Sequence, residues 1–209
     1  MTEALYPFPG PGGGTVEDVT RSTMDKAAES LELRLRVLNE LGPSLAACAE
    51  AVAAAFRAGG TLFAFGNGGS STDAQSVAQL FLTPGPDGRR LPAISLTADA
   101  ALLTALANDV HFDVVFARQL AALGRRGDIA VALSTSGGSA NVLLGLETAR
   151  RAGMVTVGLA GSGGGRMAED ALADHLFVIP SSSVHRIQEA QTTAYHVLWE
   201  LVQQALAEA

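Results

Sequence analysis

The sequence predicts an α/β fold: a doubly wound, five-stranded parallel sheet in three layers, with an N-terminal helical hairpin and a long C-terminal helix. Three observations predict it. Five short apolar runs recur between residues 61 and 180, each of strand length and none alternating with polar residues. Stretches of helical periodicity separate them, the rhythm of a parallel sheet buried on both faces. Ahead of the first run the chain reads as helix, apart from a Pro/Gly lead-in.

Taken in order, PFPGPGGG (7–14) cannot hold a helix. Residues 1–15 are therefore expected to be a flexible segment, and 16–209 a single domain. From Glu17 to Ala58 the pattern is helical, and Leu31, Leu33, Leu35, Val37, Leu38 and Leu41 are dense enough to suggest burial on more than one side. Gly42-Pro43 is the expected break and Ser44 the expected cap of a second helix, stopped by Gly59-Gly60, so 16–59 reads as a hairpin. The strands are TLFAFG (61–66), LPAISL (91–96), IAVALS (129–134), MVTVGLAG (154–161) and HLFVIP (175–180). Helices are expected over roughly 71–83, 99–123, 139–152 and 166–173, and a last one over 186–208.

Composition excludes several function classes. The chain has 209 residues, 48% of them hydrophobic and 17% charged, which is the profile of a folded protein with a real core. A net charge of −7 argues against direct nucleic-acid binding. One cysteine, Cys48, allows no internal disulfide and no Cys-rich zinc module, and SLAACAEAVAAAF makes it a small buried residue. No apolar run suits a membrane span, and the first residues lack the pattern of a secretory signal, so a cytoplasmic protein is expected.

Open parallel sheets bind ligands beyond the carboxyl ends of their strands. Two such ends are unusual here. One is Gly66-Asn67-Gly68-Gly69-Ser70-Ser71-Thr72-Asp73; the other is Ser134-Thr135-Ser136-Gly137-Gly138-Ser139. Glycine admits close backbone approach, while hydroxyls and free amides at a helix start donate to an anion. Neither loop carries a lysine or arginine. Neither is a dinucleotide fingerprint, since Ser71 replaces the third glycine, and neither ends in the GK[ST] of a nucleoside triphosphate loop. A phosphate monoester fits these donors best. The bland alternative is a pair of tight turns with capping serines.

In this order, GNGGSSTDAQ, TALANDVHFDVVFARQL, STSGGSANVL and RIQEAQTTAYH resemble the sugar isomerase (SIS) domain, and more narrowly the phosphoheptose isomerases. The resemblance implies aldose–ketose isomerisation of sedoheptulose 7-phosphate or a related sugar phosphate, and a homotetramer with shared sites. It implies phosphate binding by Ser134, Thr135, Ser136 and Ser139. It implies substrate contacts from Asn67, Gly68, Gly69 and Ser70, and from the pair Asn108 and Asp109. It also implies a zinc site and a glutamate base, and here this chain departs from the pattern. The glutamate position falls on Leu80 and a histidine ligand on Ser76, while Gln188 and His196 keep the other two metal positions.

Isomerisation needs a base, which Leu80 cannot be. His196 is one candidate catalytic residue. Glu189 is another: seven residues earlier on the same helix, it lies about 20° from His196 in projection. Asp73 and Asp109 lie near the loops. The GSGGGR run (161–166) reads as a long strand-to-helix turn. Loss of the base and one ligand leaves a second reading open, a non-catalytic sugar-phosphate-binding regulator or scaffold of the type that associates with a replication initiator.

Overall fold

A computed structural model describes residues 15–86 and 88–208. The expected flexible segment lies outside the described residues except for Thr15. Its side chain accepts from the Asp18 amide and caps the first helix.

That helix departs from expectation. In place of a hairpin over 16–59, α1 (Val16–Arg57) is one helix of 42 residues with Pro43 inside it. The physical reason is the buried stripe. Leu33, Val37, Leu45, Cys48, Ala49 and Val52 are buried, with Leu41 packed between them, so the apolar face runs through Pro43 without losing phase. The carbonyl that Pro43 leaves without an amide partner belongs to Asn39, which is exposed, so water can satisfy it. The expected burial on more than one side is not found within this chain. Leu31 is 60% and Leu35 55% exposed, and residues 16–29 are all exposed. Cys48 is fully buried, which pushes its thiol up to about 12.

Five parallel strands follow: β1 (Leu62–Gly66), β2 (Ala93–Ser95), β3 (Ile129–Ser134), β4 (Val155–Gly161) and β5 (His175–Ile179). Their order is β2-β1-β3-β4-β5, so the winding direction reverses between β1 and β3. Side chains alternate between two cores. Leu62, Ala64, Val131 and Leu133 face α1, α2 (Gly69–Leu82) and α7 (Val184–Ala207). Phe63, Phe65, Ala130 and Ala132 face α4 (Val115–Leu123), α5 (Ala140–Ala152) and α6 (Gly165–Glu169). Because both faces are covered, neither shows polar alternation, and this is why the strands read as continuous apolar runs. Gly145 on α5 lets the Phe65 and Phe116 rings sit 5.2 Å apart, since a Cβ there would press on both.

The stretch expected to be helical over 99–123 is divided. α3 (Ala100–Asp109) is capped by Asp99 and ends at Val110. His111 Nδ1 then accepts from the Asp113 amide at 3.2 Å and starts a fresh turn that leads into α4.

Candidate active site

The reversal between β1 and β3 marks, beyond their carboxyl ends, the position where sheets of this kind have their ligand crevice. Both unusual loops leave from it. Gly66 pairs with Leu133 in the sheet, so the chain emerges side by side as Asn67 and Ser134. The two loops are tied by a reciprocal amide pair: Asn67 Nδ2 donates to Asn141 Oδ1, and Asn141 Nδ2 donates to Asn67 Oδ1, each at 2.8 Å. Asn141 was not singled out in the sequence; its only signal is its place in SANVL at the start of α5.

Hydroxyls crowd the second loop. Ser134 Oγ lies 3.5 Å from Ser136 Oγ and 3.3 Å from Ser139 Oγ, and Ser136 Oγ accepts from the Gly138 amide at 3.2 Å. Ser139 is the N-cap of α5, yet its side chain makes no capping bond, and Gly68 caps α2 without a side chain at all. The positive ends of both helices therefore open toward the crevice. Gly68, Gly69 and Ser136 are exposed, while Ser70 and Ser134 are buried.

A third loop braces the second. Gly137 has φ +63°, and a Cβ on it would collide with the Gly164 carbonyl. A Cβ on Gly165, at φ +50°, would meet the Ser136 carbonyl. The Met167 amide donates to the Gly137 carbonyl at 2.9 Å. GSGGGR is thus the turn its composition suggests, and its glycines allow two backbones to touch.

The seam between α2 and α7 is built differently. Equivalent turns of the two helices lie level. The Gln188 amide rests on Gly69, where a methyl group would collide with it. One turn on, Tyr195 Oη donates to Asp73 Oδ1 at 3.3 Å and lies 3.5 Å from Thr192 Oγ1. Asp73 Oδ2 is enclosed with no hydrogen-bond partner. Burial raises the Asp73 carboxyl above its ordinary range, against the bonds from Tyr195 and Thr192 that lower it. Burial likewise raises the Tyr195 phenol. Ser76 donates back to the Thr72 carbonyl at 3.1 Å, and Leu80 packs against the same core cluster as Trp199.

His196 is exposed, its ring stacked on Tyr195 with centroids 5.0 Å apart. Its Nδ1 is 2.8 Å from the Thr192 carbonyl. A carbonyl can only accept, so Nδ1 carries a proton, and in that tautomer of the neutral ring the lone pair lies at Nε2. Glu189 is engaged elsewhere. Arg186 Nη1 donates to both its oxygens, at 2.9 and 2.7 Å. Burial works to raise the Glu189 carboxyl, but Ser30, Arg186 and Arg34 together hold it below its ordinary value. Asn108 and Asp109 are exposed at the end of α3, where Asn108 Nδ2 donates to Asp109 Oδ1 at 2.8 Å.

The zinc implied by the resemblance does not fit these residues. Of its four positions, Leu80 has no donor and the Ser76 hydroxyl is engaged by the Thr72 carbonyl and the Tyr195 phenol, leaving an amide and an imidazole. Among the described residues, no group of three or more His, Cys, Asp or Glu side chains could hold a metal ion.

Comparison with known proteins agrees with this architecture. The SIS domain model matches residues 27–161. The chain is 42% identical to the phosphoheptose isomerase of Roseiflexus sp. (strain RS-1) over 92% of its own length and 97% of that protein. It is similar in structure to a phosphoheptose isomerase from Neisseria gonorrhoeae, with a TM-score of 0.83, 33% identity and coverage of 89% of this chain and 99% of that one. The corresponding enzyme from Francisella tularensis gives 0.84 and 31%, over 91% of this chain and 100% of that one.

Proposed function

This chain belongs to the SIS domain family and, within it, to the phosphoheptose isomerases; on that premise we propose that it interconverts a phosphorylated ketose and aldose, sedoheptulose 7-phosphate first among them. The observation that carries the reading is the joined crevice, where the Asn67–Asn141 pair holds a glycine loop beside a cluster of serine hydroxyls. Ser134, Thr135, Ser136 and Ser139 bind the phosphate with neutral donors and the dipole of α5. Asn67, Gly68, Gly69, Ser70, Gln188, Asn108 and Asp109 line the path of the sugar.

Isomerisation moves one proton between adjacent carbons. His196 Nε2 takes a proton from C1 of the ketose, and that C–H electron pair becomes the C1=C2 bond of an enediol. The carbonyl oxygen takes a proton from solvent. The proton then returns from His196 to C2, the C1 hydroxyl releases its proton to solvent, and C1=O forms. Glu189, tied to Arg186, orients the helix that carries His196 and leaves the proton transfer to the imidazole.

The protein works in the cytoplasm as a homotetramer. Self-association is supported by α1: residues 16–29 touch no other part of the described chain closely enough to be covered, and they expose Val16, Val19 and Met24, followed by Leu31 and Leu35. No helix among the described residues is long and apolar enough to cross a membrane.

The test is thermal stabilisation by sedoheptulose 7-phosphate, followed by turnover measured by NMR. Ligand that binds only the folded state raises the melting temperature. Ser136→Ala with Ser139→Ala removes that rise while the fold persists. His196→Gln keeps the rise and slows turnover by about 10²–10⁴-fold, the usual contribution of a general base. Stabilisation without turnover in the wild-type protein favours the regulatory reading, and no stabilisation by any sugar phosphate defeats both.

A further inference from the structure

We infer that this chain is a metal-free isomerase: the seam between α2 and α7, where the family resemblance implies a zinc ion, is closed by hydrocarbon and by a half-buried Asp73–Tyr195 hydrogen bond. The inference deepens the isomerase reading and rests on it for the reaction, although the zinc measurement below stands apart from it.

The argument starts from helix geometry. Asp73, Ser76 and Leu80 are spaced i, i+3 and i+7, so they share the face of α2 that meets α7. Gln188, Thr192, Tyr195 and His196 occupy the facing turns of α7. A zinc ion between these faces needs three or four nitrogen, oxygen or sulfur ligands, and at least one anionic ligand helps offset its charge. Leu80 supplies hydrocarbon. The Ser76 hydroxyl already donates to Thr72 and is far too weak an acid to bind as an alkoxide without help. The sole carboxylate on this face of α2 is Asp73, and it cannot stand in. Its Oδ1 is engaged by Tyr195, and its Oδ2 is enclosed within the protein instead of opening on the crevice. Gln188 and His196 remain, two neutral donors two helical turns apart.

Beyond Ser76 the seam is a packed surface. Leu80 and Trp199 both lie against the core cluster that also contains Val77, Phe81 and Leu198. A cation placed there would lose its hydration without gaining ligands. The proton chemistry therefore falls to side chains alone, and no Lewis acid polarises the substrate carbonyl.

Two measurements on the full chain decide this. The first is zinc content by plasma mass spectrometry after expression in zinc-replete cells, with Zn²⁺ affinity from competition with a chromogenic chelator. The wild-type protein is expected to carry no stoichiometric zinc. Ser76→His with Leu80→Glu, which restores two donors to the face, is expected to bind Zn²⁺ about 100-fold more tightly or better. One zinc per wild-type chain that survives dialysis, and that Gln188→Ala or His196→Ala releases, overturns the inference whether or not the double variant folds. The second is thermal stabilisation by sedoheptulose 7-phosphate with and without EDTA. Equal shifts support the inference, and a shift lost in EDTA and restored by zinc overturns it. If no sugar phosphate shifts the transition under either condition, the isomerase reading fails, and the zinc content still decides the metal question.

Discussion

The β1–β3 crevice and the α2–α7 seam adjoin one another, and they carry different kinds of information. At the crevice, the proposed function is written in backbone shape. Glycines at 137, 164 and 165 let two loops touch, Asn67 and Asn141 lock them, and hydroxyls fill the remaining space. In the seam, function depends on which side chains project from two helix faces, and those side chains can change without disturbing a strand. Ser76 and Leu80 are such changes. On the proposed function, anchoring a phosphate and moving a proton become separable properties of this fold, the first bound to the architecture and the second lightly attached to it.

Three experiments can break or sharpen that contrast. The largest effect is expected at the brace. Gly137→Ala puts a methyl group against the Gly164 carbonyl at a positive φ, and strain with overpacking costs about 2–4 kcal/mol in denaturant unfolding. It also removes stabilisation by sugar phosphate. A variant as stable as wild type that still binds would show that backbone shape does not govern the crevice.

Next is Asn141→Ala, which leaves the Asn67 amide without its partner. Stability is expected to fall by about 1–3 kcal/mol, the cost of orphaning a partly buried polar group. Equal stability would show that the two loops hold their places independently.

The smallest effect lies in the seam and has the opposite sign. Burial raises the folded Asp73 carboxyl above its unfolded value, so the folded state binds that proton more tightly. The associated stability is present at acid pH and lost as pH rises through the folded value. Asp73→Asn cannot ionise. It should melt higher than wild type near pH 7, with the advantage fading as pH falls toward the ordinary carboxylate range, about 4. Melting curves of both proteins across that interval check the direction. A variant less stable than wild type at neutral pH would make the charge at Asp73 a structural asset.

The sheet was legible in the sequence because burial on both faces leaves a plain mark: all five apolar runs are strands, and IAVALS matches β3 residue for residue. Two features were not legible. Gly42-Pro43 looks like a stop, but a helix obeys its buried stripe before its local propensities, and Leu41 and Leu45 carry that stripe past the proline. The division of 99–123 turns on His111 using its own ring as a cap, a role that no periodicity reveals. Glycine and hydroxyl motifs marked the two loops that leave β1 and β3, and at Gly68 and Gly137 a positive φ is the reason for the glycine. The engagement of Glu189 with Arg186 and the enclosure of Asp73 under Tyr195 depend on which way each helix face turns, which spacing alone leaves undetermined.

The outermost turns of α1 have a consequence for handling the protein. Those turns extend a longer helix past its packed part with no cover from their own chain, so in the proposed homotetramer their order rests on contacts with other chains. Dilution of that proposed assembly would act as a denaturant: fewer encounters between chains would mean more fraying at Val16–Glu29, earlier proteolytic nicking there, and a melting temperature that slides with concentration instead of standing as a constant.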